Sequence, residues 1–339
     1  MDENQKEKNL LDLLDDPPVE SKVKHYRLDE MINCAKCERT NPPNRLDCMY
    51  CGLELEISGE QEKDLRPILR STEQWKNAVN LLYLSKSTPW SDQEIRDVSA
   101  MVRLEPEVLK GIVGVDSPMP IARSDQERAT NIVKKRLDEI GLVTKLLMDD
   151  DFKLNTPVKR LRRIGLNDGL VEMTLFNIDE TLSFDVKDIR LLVKGSLIER
   201  RIESSEKHSR KNDNKILETA EMSADQLVID IYVTDDPIGY RITANGFDFS
   251  CLGENKGFIA NKNINMLGSM LRDNLPNAVF DDQYVKVREY LSRVWEVDER
   301  LDSKGLKRKG FGAFSREKLT TTDNSRQFTK YSRLQWHLI

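Results

Sequence analysis

Apolar residues recur along this chain with two different periods, and the change between them divides it. Over residues 65–150 the spacing is mostly three and four, as one buried helix face requires. Asn80-Leu81-Leu82-Tyr83-Leu84 is a short apolar strand. Ser91-x-x-Glu94 then forms a capping box, in which hydroxyl and carboxylate each satisfy a free amide of the first turn. The box opens a helix with Ile95, Val98, Met101 and Val102 inward. Pro106 suits the first turn of a second short helix through Leu109 and Val113, where a missing N–H costs nothing. Residues 118–123 predict a second strand, and Ser124-x-x-Glu127 a second capping box. Its helix turns Ala129, Ile132, Val133, Leu137 and Ile140 inward and stops at Gly141, before a third strand over 142–148.

From Lys153 the period is two. Alternating segments at 158–166, 170–176, 182–186, 189–193, 197–202, 227–233 and 240–251 predict strands. Asn167-Asp168-Gly169 and Asp235-Asp236-Pro237-Ile238-Gly239 read as hairpin turns between them, and the polar run 206–221 as an exposed loop. Cys251 alternates with Phe247 and Phe249 on one strand face, the place of a small buried hydrophobe. A helix over 264–271 follows, inward at Ile264, Leu267 and Leu271. Another over 281–294 turns Tyr284, Val287, Leu291 and Val294 to one side.

Four cysteines carry the specific chemistry. Cys34-Ala35-Lys36-Cys37 and Cys48-Met49-Tyr50-Cys51 are two Cys-x2-Cys knuckles with ten residues between them. This spacing predicts a closed tetrathiolate site for structural Zn2+, with iron as the other metal that takes four thiolates. Gly52 suits the tight turn after the second knuckle. The pattern Cys34, Cys37, Asn41, Pro42, Cys48, Cys51, Gly52 resembles the short zinc ribbons at the ends of many bacterial proteins. The spacing is also shared by Ran-binding-protein-type zinc fingers, some of which bind ubiquitin or single-stranded RNA. Those carry a Trp two residues before the first cysteine, where this chain has Ile32, and a Thr-Phe pair where it has Glu38-Arg39. Neither ligand is therefore carried over. Arg39, Arg45 and Tyr50 are the candidate contact side chains.

Two looser resemblances concern the rest of the chain. Residues 65–150, and 104–147 in particular, resemble in element order the C-terminal domain of the bacterial ribosomal stalk protein, a factor-recruiting domain. Residues 153–275 resemble in outline a pleckstrin-homology-like barrel closed by one helix. The expected fold class is a multidomain α+β protein. Its parts are an acidic disordered lead (1–30, with a short amphipathic stretch at Leu10, Leu11, Leu13 and Leu14), a zinc ribbon (31–56), an α+β domain (65–150), a β-rich domain with closing helices (153–300) and a basic aromatic tail (301–339).

Composition narrows the function. Of 339 residues, 33% are charged and 38% hydrophobic, and the net charge of −5 offers no global attraction to nucleic acid or anionic lipid. Residues 303–339, however, carry nine bases against two acids. Lys307, Arg308 and Lys309 interleave there with Phe311, Phe314, Phe328, Tyr331 and Trp336, as single-stranded nucleic acid would ask. The competing expectation is a tail folded back with aromatics buried and bases solvated. No run is apolar enough for a membrane span and the chain opens on Asp2, Glu3 and Asn4, so a cytoplasmic location with reduced thiols is expected. No P-loop or dinucleotide fingerprint occurs. His25, His208 and His337 read as exposed and without a role, and Asp149-Asp150-Asp151 as an exposed turn. The expectation is a non-catalytic protein that contacts an unidentified protein partner; binding of single-stranded nucleic acid through ribbon and tail is the alternative.

Overall fold

The computed structural model describes residues 25–339 except 66–68, 70–71, 73–74, 116, 177, 179, 209–214 and 311–312; at 60, 63–64, 204–220 and 303–318 it describes backbone alone. The acidic lead therefore lies almost wholly outside the described residues, as do the side chains of His208, Lys307–Lys309, Phe311 and Phe314. The chain divides once, into Met1–Arg66 and Pro67–Ile339. No boundary between units falls at 150 or 300. Among the described residues no helix is long and apolar enough to cross a membrane.

In the first unit, strands β1 (Ile32–Asn33) and β2 (Thr40–Asn41) pair antiparallel, and a short helix α1 (Gly59–Asp64) is capped by Ser58.

The second unit opens with the predicted order: β3 (Val79–Lys86), α2 (Asp92–Val102), α3 (Pro106–Gly114), β4 (Met119–Ser124), α4 (Glu127–Glu139) and β5 (Leu142–Met148). The strands form an antiparallel sheet ordered β4-β3-β5. The Ser91 capping box forms, with Ser91 Oγ accepting from the Glu94 amide and the Glu94 carboxylate accepting from the Ser91 amide. The one expected at Ser124 does not. Ser124 Oγ instead accepts from Gln126 N–H at 3.1 Å, a local turn that competes with the cap. Ile95, Val98, Leu109, Ala129, Ile132, Val133 and Leu137 are buried as the periodicity requires, and Gly141 takes the left-handed conformation (φ 83°) that stops α4. Ile140 is the exception: it is the C-cap residue and is exposed.

The larger sheet has nine strands: β6 (Lys159–Asn167), β7 (Leu170–Leu175), β8 (Thr181–Asp185), β9 (Ile189–His208), β10 (Lys215–Val233), β11 (Asp236–Thr243), β12 (Val279–Asp281), β13 (Asp298–Gly310) and β14 (Ala313–Asp323). Its order is β13-β14-β9-β10-β11-β6-β7-β8, with β12 beside β9. The β11–β6 and β12–β9 pairs are parallel. The sheet is therefore mixed, and among the described residues no pairing joins the two ends of its path, β13 and β8. Asp168 and Gly169, both at positive φ, make the two-residue β6–β7 turn. Helices α5 (Ala260–Asn274) and α6 (Tyr284–Leu291) come between β11 and β13 in the chain, and Ile264, Leu267 and Leu271 enter the apolar core of the sheet as predicted.

Three further readings are corrected. Among the described residues, 206–221 are largely strand, because β9 and β10 pair from Lys207–Lys215 to Ile189–Val233 in one long ribbon. Phe249–Asn255 is a 3-10 turn, not the end of a strand, so Cys251 does not share a strand face with Phe247. Residues 301–339 are no tail: β13 and β14 join the sheet beside β9, and Ser325–Trp336 is a helix, α7, buried on nearly every side. Phe328 packs where Gly195 leaves room on β9; a Cβ there would overlap its ring.

Helix α7 also brings buried charge. Lys330 is wholly buried and ion-pairs with Asp149, which Arg123 grips through Nε and Nη2 at 3.1 and 2.5 Å. Asn80 joins through Nδ2 to Asp149 (2.8 Å), and its Oδ1 accepts from Lys330 Nζ (3.1 Å) and Trp295 Nε1 (2.7 Å). Arg333 donates to the carbonyls of Phe152, Lys153 and Thr156. Lys330 and Arg333 are thus buried and engaged, not solvated, with Arg333 Nε left without a partner, and Asp149 is a core residue, not part of an exposed turn. His337 likewise has contacts, with Nε2 3.1 Å from the Asp151 carbonyl and its ring edge-on to Phe152.

Candidate metal centre

The two knuckles are built alike. In the first, the Glu38 amide donates to the Cys34 carbonyl (2.9 Å) and the Cys34 amide to the Arg39 carbonyl (3.0 Å). In the second, the Gly52 amide donates to the Cys48 carbonyl (3.0 Å) and the Cys48 amide to the Leu53 carbonyl (2.8 Å). Each turn closes on a left-handed residue directly after the second cysteine, Glu38 at φ 58° and Gly52 at φ 70°. Glycine takes that conformation freely; for Glu38 it costs about 1 kcal/mol, so the first knuckle is the more strained.

These turns bring the four sulfurs together. All lie within 4.8 Å of one another, with Cys34–Cys51 at 3.5 Å and Cys37–Cys48 at 3.6 Å. Those separations far exceed the ~2.05 Å of a disulfide and suit ligands around one ion. Ile32 and Leu55 pack beside buried Cys34 and Cys48 and close the inner side.

Electrostatics points the same way. The Cys37 and Lys36 amides hold the Cys34 thiol low against burial. Burial pushes Cys48 up, but the Tyr50 and Cys51 amides and the Asn41 side chain outweigh it and bring that thiol to about 6. Against the Arg39 amide, burial and the three other sulfurs push Cys37 up to about 12. Four sulfurs this close cannot all ionise unless a cation sits among them.

Asn41 is the residue whose role spacing did not reveal. It is 0% exposed. Its Nδ2 donates to the Arg39 carbonyl (2.9 Å) and reaches Cys48 Sγ (3.5 Å), while its Oδ1 accepts from the Met49 amide (2.8 Å). One side chain thereby ties the first knuckle to the second, as outer-sphere partners do in metal sites. The Asn-Pro pair in the sequence was the available signal.

The candidate contact residues Arg39, Arg45 and Tyr50 are all exposed, and the Arg39 guanidinium lies over the Tyr50 ring at 4.8 Å. Met49 and Tyr50 are each 54% exposed and Leu53 is 37% exposed, all in or beside the second knuckle. At the other end of the chain, Phe328 and Tyr331 are buried and offer no face to a base. Comparison with protein families, with curated proteins and with solved structures finds no match to this chain.

Proposed function

We propose that Cys34, Cys37, Cys48 and Cys51 hold a structural zinc ion, and that the ribbon so stiffened docks a protein partner in a reducing compartment. A regular tetrahedral site with Zn–S near 2.3 Å has sulfurs roughly 3.8 Å apart, close to the separations found. Four thiolates leave no open coordination position, so the ion orders the chain and carries no reaction. The observation that supports docking is the exposed pair Met49 and Tyr50, pinned between Cys48 and Cys51, with Leu53 exposed beside them. A pinned loop loses little conformational freedom when it binds. Arg39 beside Tyr50 adds a cation, which favours an apolar partner segment bearing acidic side chains.

A photo-crosslinking amino acid at position 50 of the full chain, used in the native cell, tests this reading. Protein adducts that vanish in Cys34→Ser/Cys37→Ser and weaken in Met49→Ala are expected. Adducts that survive ribbon loss, or are abolished by nuclease, would overturn it, the second in favour of nucleic acid.

A further inference from the structure

The 67–339 unit contains a cavity of about 100 Å³ to which nothing above gives a role. It is framed by β4, by the C-cap of α2 and by the turn after α6, and Thr72, Trp75, Arg103, Arg123, Arg293 and Glu296 line it. Among its described lining side chains, donors outnumber acceptors. Thr72 Oγ1 and Trp75 Nε1 are shut off from solvent without a protein partner. An unmet buried donor costs on the order of 1–3 kcal/mol, so two at one cavity call for an acceptor there.

Charge adds to this. Arg103 and Arg293 are exposed at the rim, and neither has an ion pair among the described residues. Behind them Arg123 and Lys330 both reach Asp149. Among the described side chains that line the cavity, three cations, Arg103, Arg123 and Arg293, stand with one carboxylate, Glu296. Trp75 and Arg103 also stand at positive φ (59° and 58°), conformations that cost side-chain-bearing residues free energy and cluster at ligand sites.

We infer that this cavity binds a phosphate group, free or as the monoester of a small molecule, through Arg103, Arg293, the Thr72 hydroxyl and the Trp75 indole N–H. A phosphate has enough oxygens to accept from all four, and its two negative charges balance the local excess, which the single charge of a carboxylate does not. The site does not depend on the ribbon and would work whether or not that reading holds.

Isothermal titration of the full-length protein with inorganic phosphate, glycerol phosphate and acetate tests it. Saturable binding of at least one phosphate and none of acetate is expected. Arg103→Gln and Arg293→Gln, on exposed side chains, should each weaken binding about tenfold with an unchanged circular dichroism spectrum. Trp75→Phe should weaken it as well while keeping the ring. Tighter binding of glycerol phosphate than of the free ion would assign the ligand as an ester, and the reverse as the ion itself. No saturable binding of either phosphate, equal binding of acetate, or indifference to both arginine variants would overturn the inference.

Discussion

Lys330 and Asp149 are not equivalent halves of a salt bridge, and replacing each in turn should show it. Burial of the Lys330 ammonium, against the pull of Asp149, brings it from 10.5 to about 7, a penalty on the charged form of roughly 5 kcal/mol. Lys330→Met removes that penalty and keeps most of the volume. It leaves Asp149 held by Arg123 and Asn80, and Asn80 Oδ1 still bonded to Trp295. That penalty already includes the attraction of Asp149, so no separate pairing loss is subtracted, and at pH 7 Lys330→Met should be at least as stable as the parent. Asp149→Asn removes no such penalty. It leaves Arg123 without its carboxylate and removes the pull that keeps Lys330 from losing its proton, and should cost about 3–5 kcal/mol. The pH dependence carries the same signature. The folded pKa of Lys330 lies below the unfolded one, so the unfolded chain binds more protons between pH 7 and 10.5. The parent should therefore gain stability across that window relative to Lys330→Met. Urea unfolding followed by tryptophan fluorescence measures both effects in the correct unit, since Trp75, Trp90, Trp295 and Trp336 all lie within 67–339. Equal losses in the two variants, or parallel pH profiles of parent and Lys330→Met, would refute the reasoning.

Two other perturbations test packing and the outer sphere of the cluster. Gly195→Ala should push Phe328 off β9 and lower stability by about 1–3 kcal/mol; Phe328→Leu should recover part of the loss, so additive urea midpoints in the double variant would contradict the contact. Asn41→Ala should leave the four sulfurs in place but weaken metal retention about 10–100-fold, read by competition with a chromogenic chelator, and unchanged retention would show that the Asn41–Cys48 contact has no bearing on the ion.

What could be read from the chain follows from where the determinants lie. Residues 79–148 were legible because the Ser91 capping box, Pro106 and Gly141 are local signals, and because Ile95, Val98 and Leu137 follow a period that only a helix satisfies. The cysteine cluster was legible because both knuckles close within a few residues. Helix α7 was not. Its buried Lys330 and Arg333 read as solvated bases, and only partners 181 residues away in the chain, Asp149 and the Phe152 carbonyl, make them core. The parallel β11–β6 and β12–β9 pairs were invisible for the same reason: no local pattern distinguishes a parallel neighbour from an antiparallel one. The β9–β10 ribbon escaped because a two-sided polar strand shows no alternation. The cavity at Trp75 and Arg103 is assembled from segments far apart in sequence, and its arginines carry no motif.

The most direct test is elemental analysis of the full-length protein, purified under reducing conditions, together with a thiol count. A single zinc ion per chain is expected, lost in Cys34→Ser and released when Cys34, Cys37, Cys48 and Cys51 are modified. Metal-free protein with four titratable thiols at these positions, or sulfurs joined as disulfides, would contradict it.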